Sequence, residues 1–180
     1  FAFPQATIGV GRIDLAQNVI GPEFHPYRLV KISNGLIFLD TQNRRIGSWA
    51  SDTLLIKGGF GVGESGLFDP VDMISHQLDI FVLDRTENRI SQFDAQLNFI
   101  QSIPIAKHDG GLFPTSMGID SRGWLYFYSP ETHEIYRSNS NASQLNTFLD
   151  LNTFPTAEDC MASMRFGLKD QFALLYNCIN

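Results

Sequence analysis

Apolar positions along this chain fall into short runs separated by Gly, Asn, Asp, Ser and Pro. Val71-Asp72-Met73-Ile74 is a brief run ended by Ser75-His76-Gln77. Ile80-Phe81-Val82-Leu83 is continuously apolar, as a strand buried on both faces requires. Arg89-Ile90-Ser91-Gln92-Phe93 alternates polar and apolar residues, the period of a half-buried strand. Asn98 to Ile103 supplies a fourth strand, and Asn34-Gly35 upstream predicts a two-residue hairpin turn. No window carries a helical period long enough to compete.

The pattern repeats. Phe24-His25-Pro26 returns as Phe68-Asp69-Pro70, and Pro70 returns as Pro114, each after 44 residues. Asp40, Arg45 and Ile46 return at the same interval as Asp84, Arg89 and Ile90. One inserted residue then carries Ile90 to Ile135. Leu36 to Asp40, Ile80 to Asp84 and Leu125 to Ser129 occupy one place in the unit. Four short antiparallel strands per unit of this length predict an all-β fold, a β-propeller built of four-stranded blades.

The second unit carries a family resemblance. Its glycine-rich lead-in, Gly58-Gly59-Phe60-Gly61-Val62-Gly63-Glu64-Ser65-Gly66, runs into Leu67-Phe68-Asp69-Pro70. Then follow Ile80 to Asp84, Asn88-Arg89-Ile90 and Phe93-Asp94. This resembles the NHL-repeat β-propellers. The first unit keeps Asp40, Arg45, Ile46 and Trp49 but has Arg44 in the place of Asn88; the third has Ser129, His133 and Glu134 at the Asp, Asn and Arg places. Asp40, Arg45, Asp84, Asn88 and Arg89 are expected to brace their blades, with Asp84 accepting from the turn after it and from Arg89.

The whole chain reads as one propeller domain or part of one, with blades over about 26–60, 70–103 and 114–150 and a partial blade over 160–180. Residues 6–19 could supply closing strands to a four-bladed ring. The resemblance implies six blades and so a larger ring, of which this chain would be part.

Composition changes the picture only modestly. Hydrophobic residues make up 43% and charged residues 18% of the 180, a globular balance. A net charge of -6 argues against nucleic acid, which needs a basic stripe, and no apolar run approaches a spanning helix. A hairpin turning at Lys169-Asp170 would set Cys160 and Cys178 nearly opposite each other, within reach of a disulfide. Those cysteines, a first residue other than Met and few lysines together predict an extracytoplasmic protein (periplasmic, cell-surface or secreted). Asn141-Ala142-Ser143 is a formal glycosylation triplet.

Local catalytic motifs are missing. His25, His76, His108 and His133 show no metal-ligand spacing. Gly61 to Gly66 lacks the Lys-Ser/Thr ending of a phosphate loop, and no Gly-x-Ser-x-Gly is present. His25, Glu64, Lys107, His108 and Asp109 lie on loops that lead into the first strand of a blade, so they are the candidates for binding on the loop face. Trp49, Trp124, Tyr126, Tyr128 and Tyr136 are expected mostly between blades. The expected function is a non-catalytic protein-binding or scaffolding propeller in a larger assembly, with no cofactor. The alternative is a metal-dependent lyase or lactonase-type hydrolase, holding Ca²⁺ or Zn²⁺ in the central channel.

Overall fold

The structure, a computed structural model, describes residues 25–178 apart from 52, 62, 64, 107–111, 140, 155–159 and 168–169. Three four-stranded antiparallel sheets follow one another along the chain. The first is β1 (Arg28–Ile32), β2 (Gly35–Asp40), β3 (Arg45–Ala50) and β4 (Thr53–Gly58). The second is β5 (Pro70–His76), β6 (Asp79–Asp84), β7 (Arg89–Asp94) and β8 (Phe99–Pro104). The third is β9 (Ser116–Ile119), β10 (Leu125–Ser129), β11 (Glu134–Ser138) and β12 (Leu145–Asp150). The pair β13 (Cys160–Phe166) and β14 (Phe172–Cys178) follows. In each sheet sequence order equals spatial order, a meander that needs only short turns.

The apolar core lies between sheets, not within them. Ile37, Leu39 and Ile46 of the first sheet pack on Met73, Ile80 and Val82 of the second. Phe81, Leu83 and Ile90 of the second meet Met117, Phe127 and Tyr136 of the third. Tyr126, Tyr128 and Ile135 of the third meet Met164 of β13. Burying each such side chain stabilises the stack by about 1.5–3 kcal/mol. β6 is buried at five of its six positions, as its unbroken apolar run requires, whereas the fourth strand β8 is mostly exposed. The first strands β1, β5, β9 and β13 pack side by side and so line the axis about which the sheets turn.

Two turns differ from expectation. The first hairpin turns on Ser33-Asn34, and Gly35 begins β2 opposite Ala50. Glycine is required there because a Cβ would sit 2.1 Å from the Trp49 carbonyl oxygen. The last hairpin closes over five residues, 167–171, with Gly167 N donating to Gln171 O at 2.8 Å. That longer turn sets Cys160 directly opposite Cys178 in the backbone register. Residues 6–19 lie outside the described residues.

Candidate functional site: the channel and its loop face

Each sheet's second hairpin has a four-residue turn whose last residue is left-handed: Arg44 (φ 56°), Asn88 (φ 49°) and His133 (φ 58°). Asparagine tolerates this conformation best, which explains the residue type of the second unit. The aspartate before the turn ties it to the segment leading into the first strand. Asp40, fully buried, accepts from Asn43 N and Nδ2, His25 N and Arg45 Nη2. Burial pushes its carboxyl up, but those hydrogen bonds prevail and hold it below the usual range. Asp84 accepts from Phe68 N, Asp69 N and Glu87 N.

Arg89 departs from its expected role. It donates to the Gly66 carbonyl at 2.8 Å and to Ser102 Oγ at 3.5 Å, not to Asp84. Three backbone amides already claim the Asp84 oxygens, and the Gly66 carbonyl offers Arg89 a closer acceptor. Asn88 Nδ2 reaches the Ile105 carbonyl at 3.4 Å. These five residues therefore act within and between neighbouring segments of the sheets. Among the loop candidates, His25 is exposed and donates its backbone N–H to Asp40. Glu64, Lys107, His108 and Asp109 lie outside the described residues.

The structure draws together four residues that the sequence pattern did not single out. Asp72, completely buried, stands on β5 directly after a bulge at Val71, a device that re-aims a side chain. Its Oδ1 accepts from Arg28 Nε of β1 at 2.9 Å, from Arg165 Nη2 of β13 at 3.2 Å and from Met73 N at 2.9 Å. Its Oδ2 accepts from Ser116 Oγ of β9 at 3.1 Å, Met117 N at 3.0 Å and Arg165 Nη1 at 3.2 Å. Ser116 Oγ in turn accepts from Met164 N of β13 at 3.1 Å. One carboxylate thus connects all four inner strands. Six donors saturate it, so it has no lone pair left for proton transfer.

Beside this cluster a cavity of about 290 Å³ is walled by Lys31, Met73, Ser75, Gly118, Arg165 and Phe166, among others. Gly118 is needed because a Cβ there would meet the Phe166 ring at 2.8 Å. Among the described residues, no three His, Cys, Asp or Glu side chains converge in a way that could hold a metal.

At the end of the channel where the crossover loops lie, a second cavity of about 280 Å³ is bounded by Tyr27, Pro70, Val71, Arg85 and Thr115. Thr115 Oγ1 is buried and has no hydrogen-bond partner among the described residues. The segment before β1 and the three crossover loops each expose an aromatic ring: Tyr27 (58%), Phe60 (68%), Phe113 (38%) and Phe154 (44%). The Arg28 guanidinium lies 4.6 Å over the Tyr27 ring, and that of Arg44 lies 4.5 Å over Phe60. Tyr126, Tyr128 and Tyr136 are buried as expected, whereas Trp124 remains 37% exposed beneath Arg137.

No family model matches the sequence, and no curated protein matches it. Solved structures do. A catalytically inactive virginiamycin B lyase from Staphylococcus aureus with quinupristin aligns at TM-score 0.56 and 15% identity, over 84% of this chain and 54% of that one. A Bacteroides fragilis protein described as exported aligns at 0.55 and 13%, over 68% of this chain and 36% of its own length. The Neurospora crassa Pan2 WD40 domain aligns at 0.53 and 8%, over 84% of this chain and 44% of that one. The fold is a β-propeller. At such identities the likeness is one of fold alone, and this chain spans about half or less of each structure. The neighbours include both an enzyme and a protein described as exported. Among the described residues, no helix is long and apolar enough to cross a membrane.

The signal for the inner-strand cluster was in the repeat. Arg28, Asp72 and Ser116 are 44 residues apart, one position in three successive units. A search for repeats rewards identity, and this position differs in every unit.

Proposed function

We propose that this chain belongs to a six-bladed, NHL-like propeller serving as a non-catalytic, protein-binding scaffold outside the cytoplasm. The observation that carries this reading is the set of exposed aromatics, Tyr27, Phe60, Phe113 and Phe154, on one face. Aromatic rings with stacked arginines are the residue types that anchor protein interfaces, and loops on a rigid sheet scaffold are where binding residues concentrate. The test exchanges Phe60 and Phe154 for serine in the full-length protein. A partner that co-purifies stoichiometrically with the parent should be lost from the double variant, with the melting midpoint unchanged. Retention of the partner by a folded double variant would overturn this use of the face.

The extracytoplasmic placement is supported by the Cys160–Cys178 register, which suits a cross-strand disulfide, and by the exported neighbour. Alkylation of both thiols only after reduction is the expected result; alkylation of the native protein without reductant would remove the argument. The alternative of a lyase or lactonase using Ca²⁺ or Zn²⁺ has less support, because the carboxylate in the channel already accepts six hydrogen bonds. Stoichiometric metal surviving dialysis of the full-length protein would reverse that preference.

A further inference from the structure

The inner strands concentrate positive charge within an acidic protein. The chain carries a net charge of -6, yet β1, β5, β9 and β13 hold Arg28, Lys31 and Arg165 against Asp72 alone. Asp72 neutralises one of these cations, so two positive charges remain along the channel wall. Part of this charge is desolvated: the Arg28 side chain is only 23% exposed, and Arg165 is held rigid by its two-pronged contact with a fully buried carboxylate. Low-dielectric walls focus such a field.

Hydrogen-bonding capacity remains too. Arg28 gives only Nε to Asp72, so its two terminal nitrogens have no hydrogen-bond acceptor among the described residues. Arg165 uses Nη1 and Nη2, and its Nε has no acceptor among the described residues. Lys31, which lines the same cavity as Arg165, is exposed and its ammonium has no hydrogen-bond acceptor among the described residues. A structural brace alone would need one cation for its one carboxylate; the inner strands hold three, of which Lys31 and Arg165 line the cavity.

We propose that the cavity beside Asp72 binds a small anion through carboxylate or phosphate oxygens. Lys31 and Arg165 are the ligand contacts, and Asp72 is the positioning residue that fixes the Arg165 fork. The cavity of about 290 Å³ has room for on the order of ten non-hydrogen atoms, each about the size of a water molecule. A planar guanidinium and a mobile ammonium lining one cavity suit an oxyanion, one by directed pairs of hydrogen bonds and the other as a point charge.

Binding of inorganic phosphate and of citrate to the full-length protein, measured by calorimetry at constant ionic strength, tests this. The expected result is saturable one-to-one binding of at least one of the two anions, weakened about tenfold or more in Lys31→Gln. Lys31 is solvent-exposed, so this variant should fold normally. Lys57→Gln, on β4 away from the channel, should bind as the parent does. Failure of both anions to saturate would overturn the proposal, as would parent-like affinity in Lys31→Gln or an equal loss in Lys57→Gln. The double aromatic variant should keep its anion affinity, so this site and the partner-binding face succeed or fail separately.

Discussion

Asp40, Asp84 and Ser129 occupy one position in three consecutive sheets, and the third shows what the carboxylate does in the other two. Ser129 Oγ is buried and has no hydrogen-bond partner among the described residues. In that sheet the turn is held instead by Tyr128 Oη against His133 Nδ1 at 3.3 Å and by Tyr136 Oη donating to Glu134. Asp84→Ser should therefore leave the Phe68 and Asp69 amides unsatisfied and cost about 2–3 kcal/mol. Hydrogen exchange should quicken at those two amides and not at the strands behind them. Acid should act through the same chemistry. The Asp40 carboxyl is held below its ordinary value of 3.8 when folded, so its contribution is complete above that value and fades as pH falls through the lower, folded pKa. Asp94, where burial raises but hydrogen bonds from Asn98 and Gln96 lower more, titrates in the same direction. Stability measured by urea titration should be flat near neutrality and decline below about pH 4, less steeply in Asp40→Asn. The turn aspartates were legible in the sequence because they repeat; the tyrosine substitutes were not, because they act from a neighbouring position.

At the scale of the strand, alternation and turn chemistry explain nearly all of the secondary structure. The unbroken run of β6 matches its burial, whereas β7, expected to be half-buried, is covered on both faces. Ser91 is as fully buried as its neighbour Ile90, because Ile90 packs toward the third sheet and Phe93 toward the first. Close approach between strands was less visible. Gly47 on β3 faces Phe38 on β2, and a Cβ there would stand 2.2 Å from the Phe38 ring. Phe38 is only 1% exposed and has little room to retreat. Gly47→Ala should cost about 1–3 kcal/mol by overpacking, read as a lower urea midpoint with unchanged slope. The displacement of the first turn to Ser33-Asn34 has the same origin. Asn34-Gly35 signals a hairpin, but the glycine is required by the Trp49 carbonyl across the sheet.

Across the whole molecule, the sheets are joined by apolar seams and by one buried carboxylate. Asp72 receives hydrogen bonds from β1, β9 and β13 as well as from its own strand. Asp72→Asn keeps the shape but leaves two guanidinium groups facing an amide, and should cost about 3–5 kcal/mol. Because the contacts span four strands, the loss should appear in global unfolding by chemical denaturation, and the transition should lose cooperativity. A cost below about 1 kcal/mol would mean that the seams alone hold the sheets together.

Strand positions, the 44-residue unit and the braced turns depend on near neighbours in the chain, so residue type and spacing are enough to recognise them. The side-by-side packing of sheets follows as well, since a continuously apolar strand needs cover on both faces. The meeting of Arg28, Asp72, Ser116 and Arg165 does not follow from any local rule. Arg165 lies 93 residues from Asp72, and only the angle between successive sheets brings the two within 3.2 Å. The ring of exposed aromatics is likewise a product of geometry, since four loops of unrelated sequence share a face only because every strand reverses direction. Pattern records what each segment must bury; the curvature of the stack selects which polar groups come to share the space left at its axis.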